Sequence, residues 1–331
     1  MGTAEFACPS LEALSARFNV VGVVTQPDRP AGRGHRLLAA PPVKKVAVNL
    51  GLPLLQVGRK EKERLAEWAQ ARHPDLAVVV AFGHILTPRF LSIPQKGTLN
   101  LHASLLPKFR GAAPIHRAIM AGEGETGVTT MYVAEALDAG DVIYQEKTRV
   151  GPDENVESVH DRLAAVGADL LAQTVADVAA GRAPRRPQNE AEATWAPPLA
   201  TSDQIIRWDA PAAVVHNHVR GLDPWPGALT TFRGKVLKVL HTDLVSSDEG
   251  LMPDRNVEQE GRGRGGKPGA LALDASGNPL ALCGTGAVRL LEVQPAGGRR
   301  MSGAEFARGQ RLTSGDELGL ETHVIMGHKD K

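Results

Sequence analysis

Two polar residues, Asn100 and His102, sit two apart in the run GTLNLHASLLPKFRGAAP, residues 97–114. On a β-strand that spacing points both side chains to the same side. An amide that donates a hydrogen bond, beside an imidazole that shifts a proton, suits stabilisation of a developing oxyanion. Open α/β sheets bind ligands at the carboxyl ends of their strands, and polar groups buried there are costly unless paired or used. Two polar residues satisfied by their neighbours at a strand end fit the same spelling, and residue types alone leave the two readings balanced. Downstream, LDAGDVIYQ puts Asp138, Gly140 and Asp141 in a tight turn that enters another strand. A carboxylate there can orient the histidine and accept a proton from an attacking amine, although a plain Asx turn has the same composition.

A sheet must carry these residues. Continuous apolar runs predict strands over residues 20–25, 76–82 and 98–102, as a parallel sheet covered on both faces requires. Helical spacing predicts helices over 10–17, 42–50, 61–72 and 113–121. Strands over 128–133 and 142–150 follow, then a long helix over 156–180 stopped by Gly181. The alternation gives an α/β fold with a doubly wound, mostly parallel sheet over residues 1–181. Residues 182–202 read as a linker rich in proline and charge. After a short helix over 210–220, short runs at 228–232, 235–244, 270–273, 280–283 and 287–293 are separated by Gly and Asn-Pro turns. That texture predicts a small β-barrel over 203–311, followed by a tail over 312–331. Residues 246–269 lack periodicity and read as a disordered loop.

Composition narrows the class. The chain has 331 residues, 42% of them hydrophobic and 23% charged, with a net charge of +1, as in a two-domain globular protein. No run reaches the ~20 apolar residues that span a bilayer, and no signal peptide is legible, so a cytoplasmic protein without membrane contact is expected. Cys8 and Cys283 are the only cysteines, and no His-Glu-x-x-His pattern occurs, so no metal is expected. His216 and His218 read as surface positions. There is no Gly-x-Gly-x-x-Gly after a strand and no Walker loop, against nicotinamide and ATP. From Arg29 to Lys60 there are seven Lys/Arg and no acid. The Pro- and Gly-rich part of this run, residues 27–42, predicts a long exposed loop, and its charge suits either solvation or a polyanion such as RNA.

The order of motifs adds a resemblance. GTAEFACPSLEAL, TQPDRPAGRG, PPVKKVA, VVVAFGHIL, NLHASLLPKFRGAAP, LDAGDVIYQ, DPWPGA and LLEVQPAGGRRMSG resemble the methionyl-tRNA formyltransferases, one branch of the 10-formyltetrahydrofolate-dependent formyltransferases. The likeness runs from Gly2 to about Arg311, the 246–269 insertion excepted. It implies a Rossmann-like formyltransferase domain and a second domain similar to an oligonucleotide-binding barrel. It also implies transfer of a formyl group from 10-formyltetrahydrofolate, as co-substrate, to the α-amino group of initiator methionyl-tRNA.

The resemblance also implies roles. Asn100, His102 and Asp138 match the catalytic trio: Asn100 and His102 on the oxyanion, Asp138 holding the imidazole and taking the amine's proton. Ser104, Leu105, Leu106 and Pro107 match the folate-binding stretch, with Phe82, Gly83 and Asp141 at the pterin's edge. Arg29, Arg33 and Arg36 match the loop that meets the acceptor arm of the tRNA. Arg233, Lys235 and Lys238 in FRGKVLKV, read as alternating on one strand face, would track the RNA backbone.

Three departures qualify the match. Ala4 replaces a usual proline, and Pro197-Pro198 stand where a linker lysine is usual. The family also places an apolar strand before Gly-Thr, whereas here only Met1 precedes it. That strand would be central in the sheet, so we expect either a start several residues upstream or a weakly stable chain. Two other readings share the motifs: a formyltransferase for a nucleotide-linked amino sugar or glycinamide ribonucleotide, and an RNA-binding protein on an inactive formyltransferase fold. The first lacks need of the basic loop and barrel; the second sits badly with an intact Asn-His-Asp trio. A monomer is expected, because no coiled-coil seam is legible.

Overall fold

The computed structural model describes residues 1–31, 37–245, 266–313, 315–319 and 322–327, which form two compact units. The first comprises residues 1–115, 125–149 and 158–198. In chain order the elements up to its end are α1 (Cys8–Arg17), β1 (Val23–Thr25), β2 (Arg29–Ala31), β3 (Leu37–Ala39), α2 (Pro42–Asn49), β4 (Leu54–Gln56), α3 (Lys62–Gln70), β5 (Ala77–Val80), α4 (Pro88–Leu91), β6 (Thr98–His102) and β7 (Arg110–Gly111). There follow α5 (Pro114–Met120), β8 (Glu125–Tyr132), β9 (Val142–Arg149), α6 (Val156–Ala179) and β10 (Trp195–Ala196). β1 pairs parallel with β4 and β5 parallel with β6, while β8 runs antiparallel to both β6 and β9. This is a Rossmann-like α/β unit with its ligand edge at the carboxyl ends of β1, β4, β5 and β6.

Several boundaries differ from the sequence reading. The strand expected at 76–82 stops at Val80, because Ala81 takes a left-handed φ of 45° and the backbone leaves the ladder. β4 has three residues, too short for its Leu-Leu-Gln to show a period. The stretch 27–42 is not simply a loop: β2 and β3 form a hairpin with Pro30 opposite Leu38. Residues 32–36 lie outside the described residues.

Met1 and Gly2 occupy the place of the expected central strand, between β1 and β5. Gly2 bridges to Val80 and donates to Val24 O at 3.0 Å, while Met1 O accepts from Val80 N at 2.9 Å. The α-amino group donates to Val78 O at 2.6 Å. Beside this stub the gap between β1 and β5 continues as a cavity of about 370 Å³ lined by Leu11, Leu14, Val21, Trp68 and Val78.

The second unit comprises residues 116–124, 150–157 and 199–331. Its later elements are α7 (Ala212–Arg220), β11 (Ala228–Phe232), β12 (Lys235–Leu244), β13 (Leu271–Leu273), β14 (Pro279–Leu282), β15 (Ala287–Pro295), β16 (Met301–Ser302), α8 (Gly303–Gln310), β17 (Leu318–Gly319) and α9 (Thr322–Gly327). The sheet order is β13-β14-β15-β12-β11-β17, with β16 on β15. Trp208, Val219, Leu222, Val239, Leu290 and Phe306 fill its concave side, which makes a curled, half-barrel sheet. Helix α8 starts at a capping box in which Ser302 Oγ accepts from Glu305 N. Part of the expected tail belongs to the fold, since Leu318 and Gly319 pair with β11 and Ile325 packs on Leu229 and Val236. His216 is not a surface residue: it is 4% exposed, its ring nitrogens engaged by Thr242 Oγ1 and Pro152 O. No helix of the described residues is long and apolar enough to cross a membrane.

Burial lowers the Met1 amine to about pH 5, from an ordinary value near 8. The folded state therefore disfavours the charged amine. Stability carried by this seat is complete above about pH 8 and is lost as the pH falls toward 5. Urea midpoints across that range should decline with acidification for a chain with a free Met1 amine, and acetylating the amine should flatten the decline. An unchanged slope after acetylation would mean the amine is not buried.

Candidate active site

β6 presents Asn100 and His102 on one side of the sheet, His102 at its carboxyl end and only 6% exposed. The ring's Nε2 lies 2.9 Å from Phe109 O. A carbonyl only accepts, so Nε2 carries a hydrogen and the neutral ring keeps its lone pair on Nδ1. Nδ1 faces Asp138, whose Oδ2 is 3.7 Å away. The same Oδ2 accepts from Gly111 N at 2.9 Å. Asp138 holds a left-handed φ of 51°, a conformation an aspartate tolerates better than most residues. Asn100 is half-buried, and its amide has no hydrogen-bond partner among the described residues, leaving a donor open two positions before the imidazole.

Two loops carry these contacts. Phe109, at a φ of 59°, turns its carbonyl to His102. The loop before it is held internally: Ser104 Oγ donates to Lys108 O at 2.6 Å, and Thr129 Oγ1 donates to Ser104 O at 2.6 Å. Gln145 Nε2 donates to Leu106 O at 2.8 Å. The expected folate-binding residues consequently divide. Ser104 is fully buried with its hydroxyl spent on the loop, and Leu106 packs on Met131 and Val142, so these two side chains are turned inward, away from any ligand. Leu105 and Pro107 are half-buried. Phe82 is buried, its carbonyl accepting from Gln26 Nε2 at 2.7 Å, and Gly83 beside it is exposed. Asp141 lies 3.7 Å from Arg185, whose guanidinium covers the Tyr132 ring.

A third segment, read from the sequence as part of the 182–202 linker, packs into the first unit up to residue 198, because it supplies buried Arg110 with acceptors, and it joins the two loops. Arg110 is 2% exposed. Its guanidinium donates to Gln188 Oε1 at 2.8 and 3.1 Å and to both oxygens of Glu190 at 2.7 and 2.8 Å. The pairing holds the Glu190 carboxyl below the usual range. Gln188 Nε2 in turn donates to Asp138 O and Gly140 O, both at 2.8 Å. β10 pairs with β7, and a Cβ on Gly111, whose φ is 125°, would lie 2.5 Å from Ala196 O. At Gly140 a Cβ would lie 1.8 Å from Tyr132 O. The spelling Arg-Gly after Pro-Lys-Phe was the available signal for this clamp, but nothing in the sequence named its partners 78 and 80 residues away.

Of the expected RNA-facing residues, Arg29 opens β2 and donates to Gln26 Oε1. Arg33 and Arg36 lie outside the described residues. His84, near Arg29, Arg59 and Lys62, has its pKa lowered by burial and by those cations. The alternation read into FRGKVLKV does not hold. Arg233 sits in the turn before β12 and is bound to both oxygens of Asp316 at 2.9 Å. Lys235 and Lys238 are three apart, so a strand sends them to opposite faces. Lys235 is exposed, whereas Lys238 Nζ donates to Pro226 O at 2.9 Å. Among the described residues no group of three or more His, Cys, Asp or Glu is placed to hold a metal ion.

Comparison with known proteins agrees over nearly the whole chain. Residues 3–175 match the formyl transferase family and residues 198–311 match the formyl transferase C-terminal domain. The methionyl-tRNA formyltransferase of Moorella thermoacetica is 46% identical over 96% of this chain and 98% of its own length. That of Heliobacterium modesticaldum is 45% identical over 96% and 98%. Among solved structures, the N-formyltransferase of Helicobacter canadensis, in complex with folinic acid and dTDP-3-aminofucose, superposes with a TM-score of 0.62 at 14% identity, covering 87% of this chain and 96% of that one. HypX of Aquifex aeolicus, in complex with tetrahydrofolic acid, gives 0.55 at 20% identity over 80% of this chain and 43% of its own. At such identities the structural likeness carries the fold alone.

Gly111→Ala tests the clamp on Asp138. The added Cβ meets Ala196 O and the backbone conformation disfavours any side chain, so the variant should lose about 2 kcal/mol or more of stability. A urea midpoint equal to the parent's would mean that Gly111 is not pressed between the loop and β10.

Proposed function

The chain belongs to the formyltransferase family and is a one-carbon transferase, and from that footing we propose that it formylates the α-amino group of initiator methionyl-tRNA, using 10-formyltetrahydrofolate in the cytoplasm. The observation that carries the mechanism is the commitment of His102 Nε2 to Phe109 O, which leaves Nδ1 as the working atom, between Asp138 and the open amide of Asn100.

The amine nitrogen attacks the formyl carbon and the carbonyl becomes an oxyanion. Asn100 donates to that oxyanion, an interaction worth on the order of 3 kcal/mol of barrier for an ordinary oxyanion-hole donor. His102, having taken a proton from solvent onto its Nδ1 lone pair before the attack, adds a second donor there. The Asp138 carboxylate balances the imidazolium and takes up the proton the amine sheds, while His102 passes a proton toward N10 of the folate. Collapse of the intermediate breaks the bond between the formyl carbon and N10, giving formyl-methionyl-tRNA and tetrahydrofolate. Backbone at Phe82–Gly83 and around Asp141, with Leu105 and Pro107, would hold the pterin. Arg29, Arg33, Arg36 and Lys235 would meet tRNA phosphates, which position the RNA and make affinity fall with salt.

Transfer of labelled formyl groups to methionyl-tRNA, with a nucleotide-linked amino sugar as control acceptor, tests the assignment. Label on the sugar instead of the tRNA would contradict it. Asp138→Asn keeps the shape but cannot accept the proton, so single-turnover formylation should fall by ~100-fold or more with folate binding retained. A near-parental rate would remove Asp138 from the mechanism. Arg33→Ala and Arg36→Ala should weaken methionyl-tRNA formylation and flatten its salt dependence, and should spare tRNA-independent hydrolysis of the formyl donor. Equal loss of both activities would count against an RNA-contacting role.

A further inference from the structure

We propose that Gln188 is a positioning residue for Asp138, and that the chain between the two family-matched stretches is therefore part of the catalytic apparatus. The inference rests on the reading of Asp138 given above. Gln188 lies between residue 175, where the first matched stretch ends, and residue 198, where the second begins. Every hydrogen-bonding capacity of its carboxamide is spent. Its amide nitrogen donates at 2.8 Å to the carbonyls of Asp138 and Gly140 in the Asp138 turn, with a longer contact of 3.9 Å to Met131 Sδ. Its oxygen accepts twice from Arg110.

The consequence is geometric. Asp138 is in a left-handed conformation that its own chain does not favour, and its carboxylate is fixed at one oxygen by Gly111 N. Arg110 and Gly111 are consecutive in β7, so the guanidinium that holds Gln188 and the amide that holds Asp138 share one rigid dipeptide. Gln188 closes the ring: Asp138 carbonyl, Gln188, Arg110, Gly111, Asp138 carboxylate. The neighbouring backbone fastens the same segment, with Arg186 and Val142 exchanging both hydrogen bonds at 2.8 and 3.0 Å. Removing the Gln188 donors opens the ring at the aspartate's own carbonyl and lets the carboxylate drift from His102 Nδ1. A drift of about 1 Å in a catalytic group can cost on the order of a hundredfold in rate.

Gln188→Glu isolates this role, because a carboxylate still accepts from Arg110 but no longer donates to Asp138 and Gly140. With rates counted per folate-binding site, kcat should fall roughly 30- to 100-fold while KM for both substrates stays within about threefold. Gln188→Met, which removes both donor and acceptor, should show the same kcat loss per site. The factor should shrink to near unity in an Asp138→Asn background, since a device that acts through Asp138 has nothing left to position. Parental kcat in Gln188→Glu, or the same loss with and without Asp138, would overturn the inference. If Asp138→Asn alone is fully active, the catalytic reading of Asp138 fails; if it is impaired and Gln188→Glu is not, only the role of Gln188 fails.

Discussion

A guanidinium taken out of water must find fixed acceptors, because leaving even one buried charge unpaired costs several kcal/mol. Arg110, 2% exposed, finds them in Gln188 and Glu190. Much else in the first unit follows. The chain that supplies those partners has to run beneath the loop after β6, where β10 pairs with β7 and Ala196 O closes on Gly111. With Gly111 fixed, its amide fixes Asp138, and the neighbouring Phe109 carbonyl fixes the histidine tautomer. A charge with no part in the proposed chemistry thus determines the distance between the two groups to which that chemistry is assigned.

The sheet adds a second constraint. Leu101, one residue before His102 at the end of β6, pairs with Val80, which bridges to Gly2, and Gly2 N in turn donates to Val24 O. Hydrogen bonds from this Met1–Gly2 stub, together with that from Gln26 Nε2 to Phe82 O, tie the β1–β4 pair to the sheet that carries Asn100 and His102.

How much of this was legible in the sequence depended on whether the cause was local. The two-residue spacing of Asn100 and His102 survives because strand periodicity is a property of the backbone itself. The strand at 98–102 was readable from its mostly apolar run, and the one expected at 142–150 from its β-branched and aromatic start, Val-Ile-Tyr; it ends at Arg149. The pairing of 29–31 with 37–39 was not readable, since Pro30 and the nearby glycines read as breakers of regular structure. Gln188 was invisible as a functional residue, because its meaning is set by Arg110 and Asp138, far away in sequence. Lys238 misled in the opposite direction: its charge suggested a partner outside the chain, and Pro226 O supplies one within it.

The central claim is that His102 is anchored through Nε2 and works through Nδ1. Nitrogen-15 magnetic resonance of the protein labelled in its histidine rings, with His102 assigned by difference against His102→Gln, measures this directly. At a pH where the ring is neutral, the account predicts a proton on Nε2 and a lone pair on Nδ1. A neutral ring protonated on Nδ1 would contradict it.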